Sequence, residues 1–163
     1  MGKTIVITNQ KGGVGKTTTA VNLAAGLSIY LAEQPGINNR VLLIDMDPQG
    51  HALLATAFGE HDAPAQQSLS ALLVETPPPS IQRLLRPSIH HPNLYVIPSN
   101  RAAMVDASRI LPTLMANESR LNQVLRTIRN QFAFIIIDTP PNTGDLLVNA
   151  LVAADHIIIP VEP

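Results

Sequence analysis

The sequence predicts an α/β fold: a doubly wound, mainly parallel sheet flanked by helices. Three observations predict it. Five short runs rich in Ile and Val are continuously apolar rather than alternating, as strands buried on both faces are. Helix-like segments lie between them, which suits parallel strands joined by crossovers. A glycine-rich turn joins the first run to the first helix, the strand–loop–helix order of an α/β unit. The 163 residues suit a single domain, 1–163, with a real core.

The elements follow in order. TIVIT (4–8) reads as the first strand. Lys16 to Glu33 reads as a helix that is apolar nearly all round, through Ala20, Val21, Leu23, Ala24, Ala25, Leu27, Ile29 and Leu31, and so is expected to be deeply buried. VLLID (41–45) is the second strand, and His51 opens the next helix. From 61 to 92 the chain changes character, with Pro64, Pro77 to Pro79, Pro87 and the HHP of 90–92. This stretch reads as a helical insertion, with helices near 68–75 and 80–86 docked by Leu69, Leu72, Leu73, Ile81, Leu84 and Leu85. LYVIP (94–98), FIIID (134–138) and HIIIPV (156–161) read as strands, and 101–115, 118–130 and 145–153 as helices. HIIIPVEP stops just after a buried-type strand, so the sheet is expected to be incomplete at the C-terminus.

Composition narrows the classes. Apolar residues make up 45% and charged residues 14%, so the chain is not compositionally disordered. A net charge of −1 gives no global pull toward nucleic acid or anionic membrane. The absence of cysteine excludes disulfides, thiolate zinc sites and cysteine-held iron–sulfur clusters. MGKTIVIT has no basic-then-apolar leader, and no apolar run approaches the ~20 residues of a membrane span, so a cytoplasmic protein is expected. His51, His61, Asp62, His90 and His91 lack regular ligand spacing, and Arg120, Arg126 and Arg129 read as a solvated helix face.

Three motifs carry chemistry. TNQKGGVGKTTTAVN (8–22) holds most of the phosphate-binding pattern G-x-x-x-x-G-K-[ST], with Gln10 in place of the first glycine and an additional lysine, Lys11. Gly12, Gly13 and Gly15 let backbone N–H groups converge on phosphate oxygens, and the following helix adds its positive end. Lys16 is placed to reach β- and γ-phosphates, Thr17 to ligate Mg²⁺ and Thr18 to meet the α-phosphate. FIIIDTPP (134–141) is an apolar strand ending in Asp138, the Walker B form, a second Mg²⁺ position. VLLIDMDPQG (41–50) ends a strand with Asp45 and Asp47, which alternation points the same way, toward metal binding or water orientation. All three sit at C-terminal strand ends, where parallel sheets bind ligands.

KGGVGKTT (11–18), IDMDPQG (44–50) and FIIIDTPP (134–141) resemble the ParA/MinD family of deviant Walker A ATPases, supported by LYVIPSN (94–100) and NALVAADHIIIPVEP (149–163). DPQG, the PSN turn and the ALVAAD segment are most similar to the chromosome and plasmid partition branch. The resemblance implies a P-loop NTPase fold, ATP and Mg²⁺ as cofactors, and slow, partner-stimulated ATP hydrolysis in a dimer that ATP assembles. It places the nucleotide on Gly12, Gly13, Val14, Gly15, Lys16, Thr17 and Thr18, and the metal on Thr17, Asp138 and Asp47. It makes Lys11, Lys16 and Asp45 catalytic: Lys11 acts on the other subunit's phosphates and Asp45 orients the attacking water. It also implies a homodimer, a ParB-like stimulatory partner, and non-specific DNA binding through a C-terminal part not found in this sequence. No membrane partner is expected, and the location would be cytoplasmic and nucleoid-associated. The alternatives are a MinD-like membrane-positioning ATPase and a truncated nucleotide-binding module without turnover.

Overall fold

The computed structural model describes residues 2–34, 38–55, 63–91 and 93–162. Six strands form one sheet: β1 (Lys3–Ile7), β2 (Val41–Asp45), β3 (Arg86–Pro87), β4 (Leu94–Val96), β5 (Phe134–Asp138) and β6 (His156–Ile158). Their spatial order is β3-β4-β2-β5-β1-β6, with every pair parallel except β3 against β4. The helices are α1 (Lys16–Ala32), α2 (His51–Ala55), α3 (Leu69–Val74), α4 (Arg101–Ile110), α5 (Arg120–Arg126) and α6 (Asp145–Ala153).

Because successive strand residues point to opposite faces, the sheet sorts its apolar side chains into two cores. Ile7, Val41, Leu43, Val96 and Ile136 pack under α1 and α2 with Ala20, Ala24 and Leu53. Val6, Leu42, Ile44, Ile135 and Ile137 pack on the other face with Leu69, Met104, Leu121, Val124 and Leu146, from α3 to α6. Leu72, Leu73, Ile81 and Leu84 join this second core and Leu85 packs against it, so the proline-rich stretch is part of the main body's packing.

Several expectations change. α1 is not buried all round: Ala20, Ala24, Ser28 and Leu31 form its buried stripe, while Ile29 and Tyr30 face solvent. One helix layer over a sheet can cover only one side of a helix, whatever the far side carries. In place of a helix over 80–86 there is a single 3₁₀ turn, Ile81–Arg83, followed by β3, because Pro87 ends helical geometry and suits an edge strand. The strand expected over 94–98 is Leu94–Val96 and that over 4–8 is Lys3–Ile7. The helix expected over 101–115 ends at Ile110 and continues as a 3₁₀ turn with Pro112 in its first turn. That over 118–130 breaks into α5 between two 3₁₀ turns. The strand expected over 156–161 is His156–Ile158, paired to β1 and exposed along its length, as suits the expectation of an incomplete sheet. His61, Asp62 and Pro92 lie outside the described residues.

Two of the three arginines read as a solvated face hold the fold instead. The Arg120 guanidinium donates to the Glu75 carbonyl and to Thr76 Oγ1, at 3.0 Å each. Arg129 closes a clip at the start of β1. Its Nε donates to the Gly2 carbonyl at 3.0 Å, and its Nη2 pairs with Asp155, whose carboxylate also accepts from the Thr4 N–H at 2.7 Å. Gly2 in turn donates its N–H to the Arg129 carbonyl at 3.1 Å.

The clip yields two predictions. A Cβ built on Gly2 would lie 2.2 Å from the Phe132 carbonyl oxygen and 2.7 Å from that of Arg129. Gly2→Ala must push main chains apart, and is expected to cost about 1–3 kcal/mol, read as a lower urea midpoint at unchanged slope. Burial tends to raise the Asp155 carboxyl, but the Thr4 N–H and the Arg129 guanidinium outweigh it, so its pKa lies below the ordinary value. A carboxyl lowered on folding adds stability that is complete above its unfolded pKa and is lost as pH falls through the folded one. Asp155→Asn is therefore expected to be less stable than the parent at neutral pH. The gap should close as pH drops below about 4; a gap independent of pH in chemical denaturation would contradict this account.

Candidate functional site

Parallel pairing brings three strand ends to one level. β5 lies between β1 and β2, with Ile7 opposite Asp138 on one side and Asp45 opposite Asp138 on the other. Residues paired across parallel strands share a face. Asp45 and Asp138 therefore stand side by side on the α1–α2 face, just where β1 gives way to the glycine-rich loop. The ladder runs one step further: the Met46 N–H donates to the Asp138 carbonyl at 2.9 Å, and Thr139 Oγ1 donates to the Ile7 carbonyl at 2.8 Å.

The loop leads into α1 with left-handed backbone at Gly13 (φ 79°) and Gly15 (φ 82°), conformations that favour glycine. Gly15 is the N-cap of α1. No side chain caps this end, and no acid lies in its first turn, so the end is left to an anion. A Cβ added at Gly12, Gly13 or Gly15 would meet nothing within 4 Å, so the loop borders open space. Val14 is buried beneath it, Thr17 is half-buried and Thr18 is exposed. Lys16 is 8% exposed and its Nζ donates to the Lys11 carbonyl at 3.1 Å, across the loop. Lys11 itself is exposed and pairs with Glu162.

The carboxylates are not equivalent. Asp45 is fully buried. Its Oδ1 accepts from the Asp47 N–H at 3.0 Å, and its Oδ2 accepts from the N–H groups of Ala52 and Leu53 at 2.8 and 3.4 Å. It thus ties the DPQG turn and the start of α2 to the end of β2. Burial, then the adjacent Asp138 and, less, Asp47 push its pKa up to about 7 against the opposing backbone N–H donors. Asp138 is 1% exposed; burial and Asp47 push it up to about 6, against the Thr17 hydroxyl, the Thr139 N–H and the Lys16 ammonium. Its Oδ1 accepts from the Thr139 N–H at 3.1 Å, but its buried Oδ2 has no hydrogen-bond partner. Asp47 is half-buried and its Oδ1 accepts from the Gln49 N–H at 2.9 Å. Gly50, with φ 68°, closes the turn, and His51 is the exposed first residue of α2.

Asp45 and Asp47, expected at one strand end, have different surroundings. Asp45 is committed to backbone donors and shut from solvent, and the carboxylate beside it is Asp138. The cross-strand partnership was not visible along the sequence, since no spacing rule connects 45 with 138. The donor set fits a magnesium–phosphate group: an unpartnered buried carboxylate oxygen, a hydroxyl and a buried ammonium below an uncapped helix end. Among the described residues no cluster of three or more His, Cys, Asp or Glu is placed to hold a metal ion.

The chain is similar to several known proteins. A family model described as an AAA domain matches residues 2–163. The chain is 40% identical over 162 residues to the sporulation initiation inhibitor protein Soj of Bacillus subtilis (strain 168), covering 99% of this chain and 59% of that protein. It is 41% identical over 163 residues to the chromosome partitioning protein ParA of Myxococcus xanthus (strain DK1622), covering 99% and 53%. A solved structure of cobyrinic acid a,c-diamide synthase from Mycobacterium smegmatis, with bound ATP analog and magnesium, is similar with a TM-score of 0.83 at 28% identity. That match covers 99% of this chain and 60% of the other. The chain spans little more than half the length of these curated relatives.

The position of Asp45 predicts a stability effect separate from any ligand. Asp45→Ala leaves buried backbone donors at the β2–α2 turn without their acceptor, at an expected cost of about 1–3 kcal/mol. Urea denaturation without nucleotide measures it. An unchanged midpoint would show that the carboxylate is not part of the fold.

Proposed function

The chain belongs to the ParA/MinD-type P-loop ATPases, and from that premise we propose that it binds ATP with Mg²⁺ and hydrolyses it slowly, as the switch of a DNA-partition system. One observation carries the reading. The glycine-rich loop, the buried Lys16 and the unpartnered oxygen of Asp138 converge at the ends of adjacent parallel strands.

Main-chain N–H groups from Gly12 to Thr18, with Val14 and Gly15 among them, cradle the phosphates, and Lys16 exchanges the Lys11 carbonyl for β- and γ-phosphate oxygens. Thr17 and Asp138 would hold Mg²⁺, with Asp47 near it, and the ion would supply positive charge that offsets the phosphates and the buried acids. We assign the orientation of the attacking water to the half-buried Asp47 rather than to Asp45, the residue the resemblance implies, because both Asp45 oxygens accept backbone N–H groups and so keep the turn that presents Asp47. Water adds to the γ-phosphorus, the bond to the bridging oxygen breaks, and ADP and phosphate leave. Lys16, and Lys11 from a second copy, stabilise the charge that develops. The proposed partners are a second copy of the chain, a ParB-like protein that stimulates turnover, and DNA bound non-specifically by a further part of the protein. The partition role is supported by the relatives named above.

Thermal and chemical unfolding with Mg²⁺ and either ATP or GTP, alongside turnover, tests the reading. ATP at ~100 times its dissociation constant should add about 2.7 kcal/mol, and Lys16→Ala should abolish that gain. Lys11→Ala should keep the gain while turnover falls about 10²–10³-fold. No stabilisation by ATP would refute the site, and turnover indifferent to Lys11→Ala would refute catalysis in trans.

A further inference from the structure

The loop that carries Lys11 does not stand alone. Beyond the last β1–β6 pair, Ile7 opposite Ile158, the contacts continue in step. The Thr8 N–H donates to the Ile158 carbonyl at 3.0 Å, and the Asn9 side-chain amide donates to the Pro160 carbonyl at 2.8 Å. Lys11 Nζ then meets Glu162 Oε2 at 2.6 Å. Asn9 binds both ways, since its Oδ1 accepts the Lys11 N–H at 2.9 Å. Residues 8, 9 and 11 thus run beside 158, 160 and 162, and the sheet edge is extended by side chains into the phosphate loop.

We infer that Glu162 is a positioning residue for Lys11. Within the single chain its carboxylate holds the Lys11 ammonium against the segment after β6, and the lysine must leave it to reach a second copy's phosphates. The inference rests on the proposed ATP-assembled dimer for its consequence, but the pairing itself can be measured without nucleotide. The remaining loop cation, Lys16, is bonded to the Lys11 carbonyl and does not compete for Glu162. No other acid is paired with Lys11 among the described residues. Both partners are more than half exposed or nearly so (66% and 50%), which makes the hold weak and reversible, as a lysine with a second destination requires.

The sequence offers a clean probe, because its only lysines are Lys3, Lys11 and Lys16. Lys3 is exposed and lies on β1, so it serves as an internal standard. Brief acetylation with an N-hydroxysuccinimide ester, read by peptide mass spectrometry, gives the Lys11 rate relative to Lys3. Glu162→Gln should raise that ratio about 1.4- to 5-fold, the range of an exposed ion pair, and Glu162→Asp should restore part of the protection. Salt at 0.5 M should erase the difference, since screening over about 4 Å weakens surface pairs. Equal ratios in parent and Glu162→Gln at low salt would overturn the inference.

The second arm is sedimentation velocity with ATP and Mg²⁺. Two lysines leave their carboxylates per dimer, so Glu162→Gln should tighten association by about 2- to 30-fold. Unchanged or weaker association of Glu162→Gln, in a parent that does dimerise, would overturn Glu162's role in holding Lys11 back. Absence of ATP-dependent association in both proteins would count against the dimer reading instead, while the acetylation ratio still decides whether Glu162 positions Lys11.

Discussion

The register between β1, β5 and β2 is the constraint on which the site depends. Parallel strands do not choose their register freely here, because both faces of the sheet are packed and a slip by one residue would exchange the two cores. Ile136 and Leu43 must face α1, and Ile135 and Leu42 must face α3 to α6. Once those apolar residues are placed, Asp138 has no alternative to standing beside Asp45, at the level where β1 ends. The apolar packing thus brings two acids together that would otherwise repel. The fold tolerates them because one is satisfied by backbone donors and the other faces a hydroxyl and an ammonium.

This division clarifies how a buried acid pair can serve chemistry. Asp45 contributes order: without it the turn bearing Asp47 would have no fixed relation to the strand. Asp138 contributes an oxygen that the protein itself leaves unanswered. A buried polar atom without a partner is costly. That oxygen stands at the mouth of the glycine-rich loop, where the proposed magnesium–phosphate group would meet it.

Much of this was legible from residues alone, and what was not has identifiable reasons. The continuous apolar strands and the loop motif were readable because each is local. α1 was misjudged because a helix made almost wholly of apolar and small residues gives no sign of which side the sheet will cover. The stretch 80–86 was misread because its leucine spacing also suits a tight turn that feeds an edge strand ending in Pro87. Arg129 read as solvated because its partners, Gly2 and Asp155, lie far away in sequence and are brought in by β1 and β6. That Asp45 and Asp138 meet at one end of the sheet is readable from their strand-end positions, but their direct cross-strand register is not, nor are the contacts of Asn9 and Glu162. Spacing reports on neighbours along a helix or strand, whereas these relations arise only when strands distant in sequence become adjacent.

β6 lies at the end of the described strand order, with Ile157 and Ile158 exposed on it and Ile159 exposed just beyond it. Two residues past β6, Pro160 supplies the carbonyl that holds the Asn9 side-chain amide, and Asn9 in turn accepts the Lys11 N–H. The path of the chain after β6 is thus written into the shape of the phosphate loop, so a change that moved this main chain would be felt at the loop without touching any residue of it.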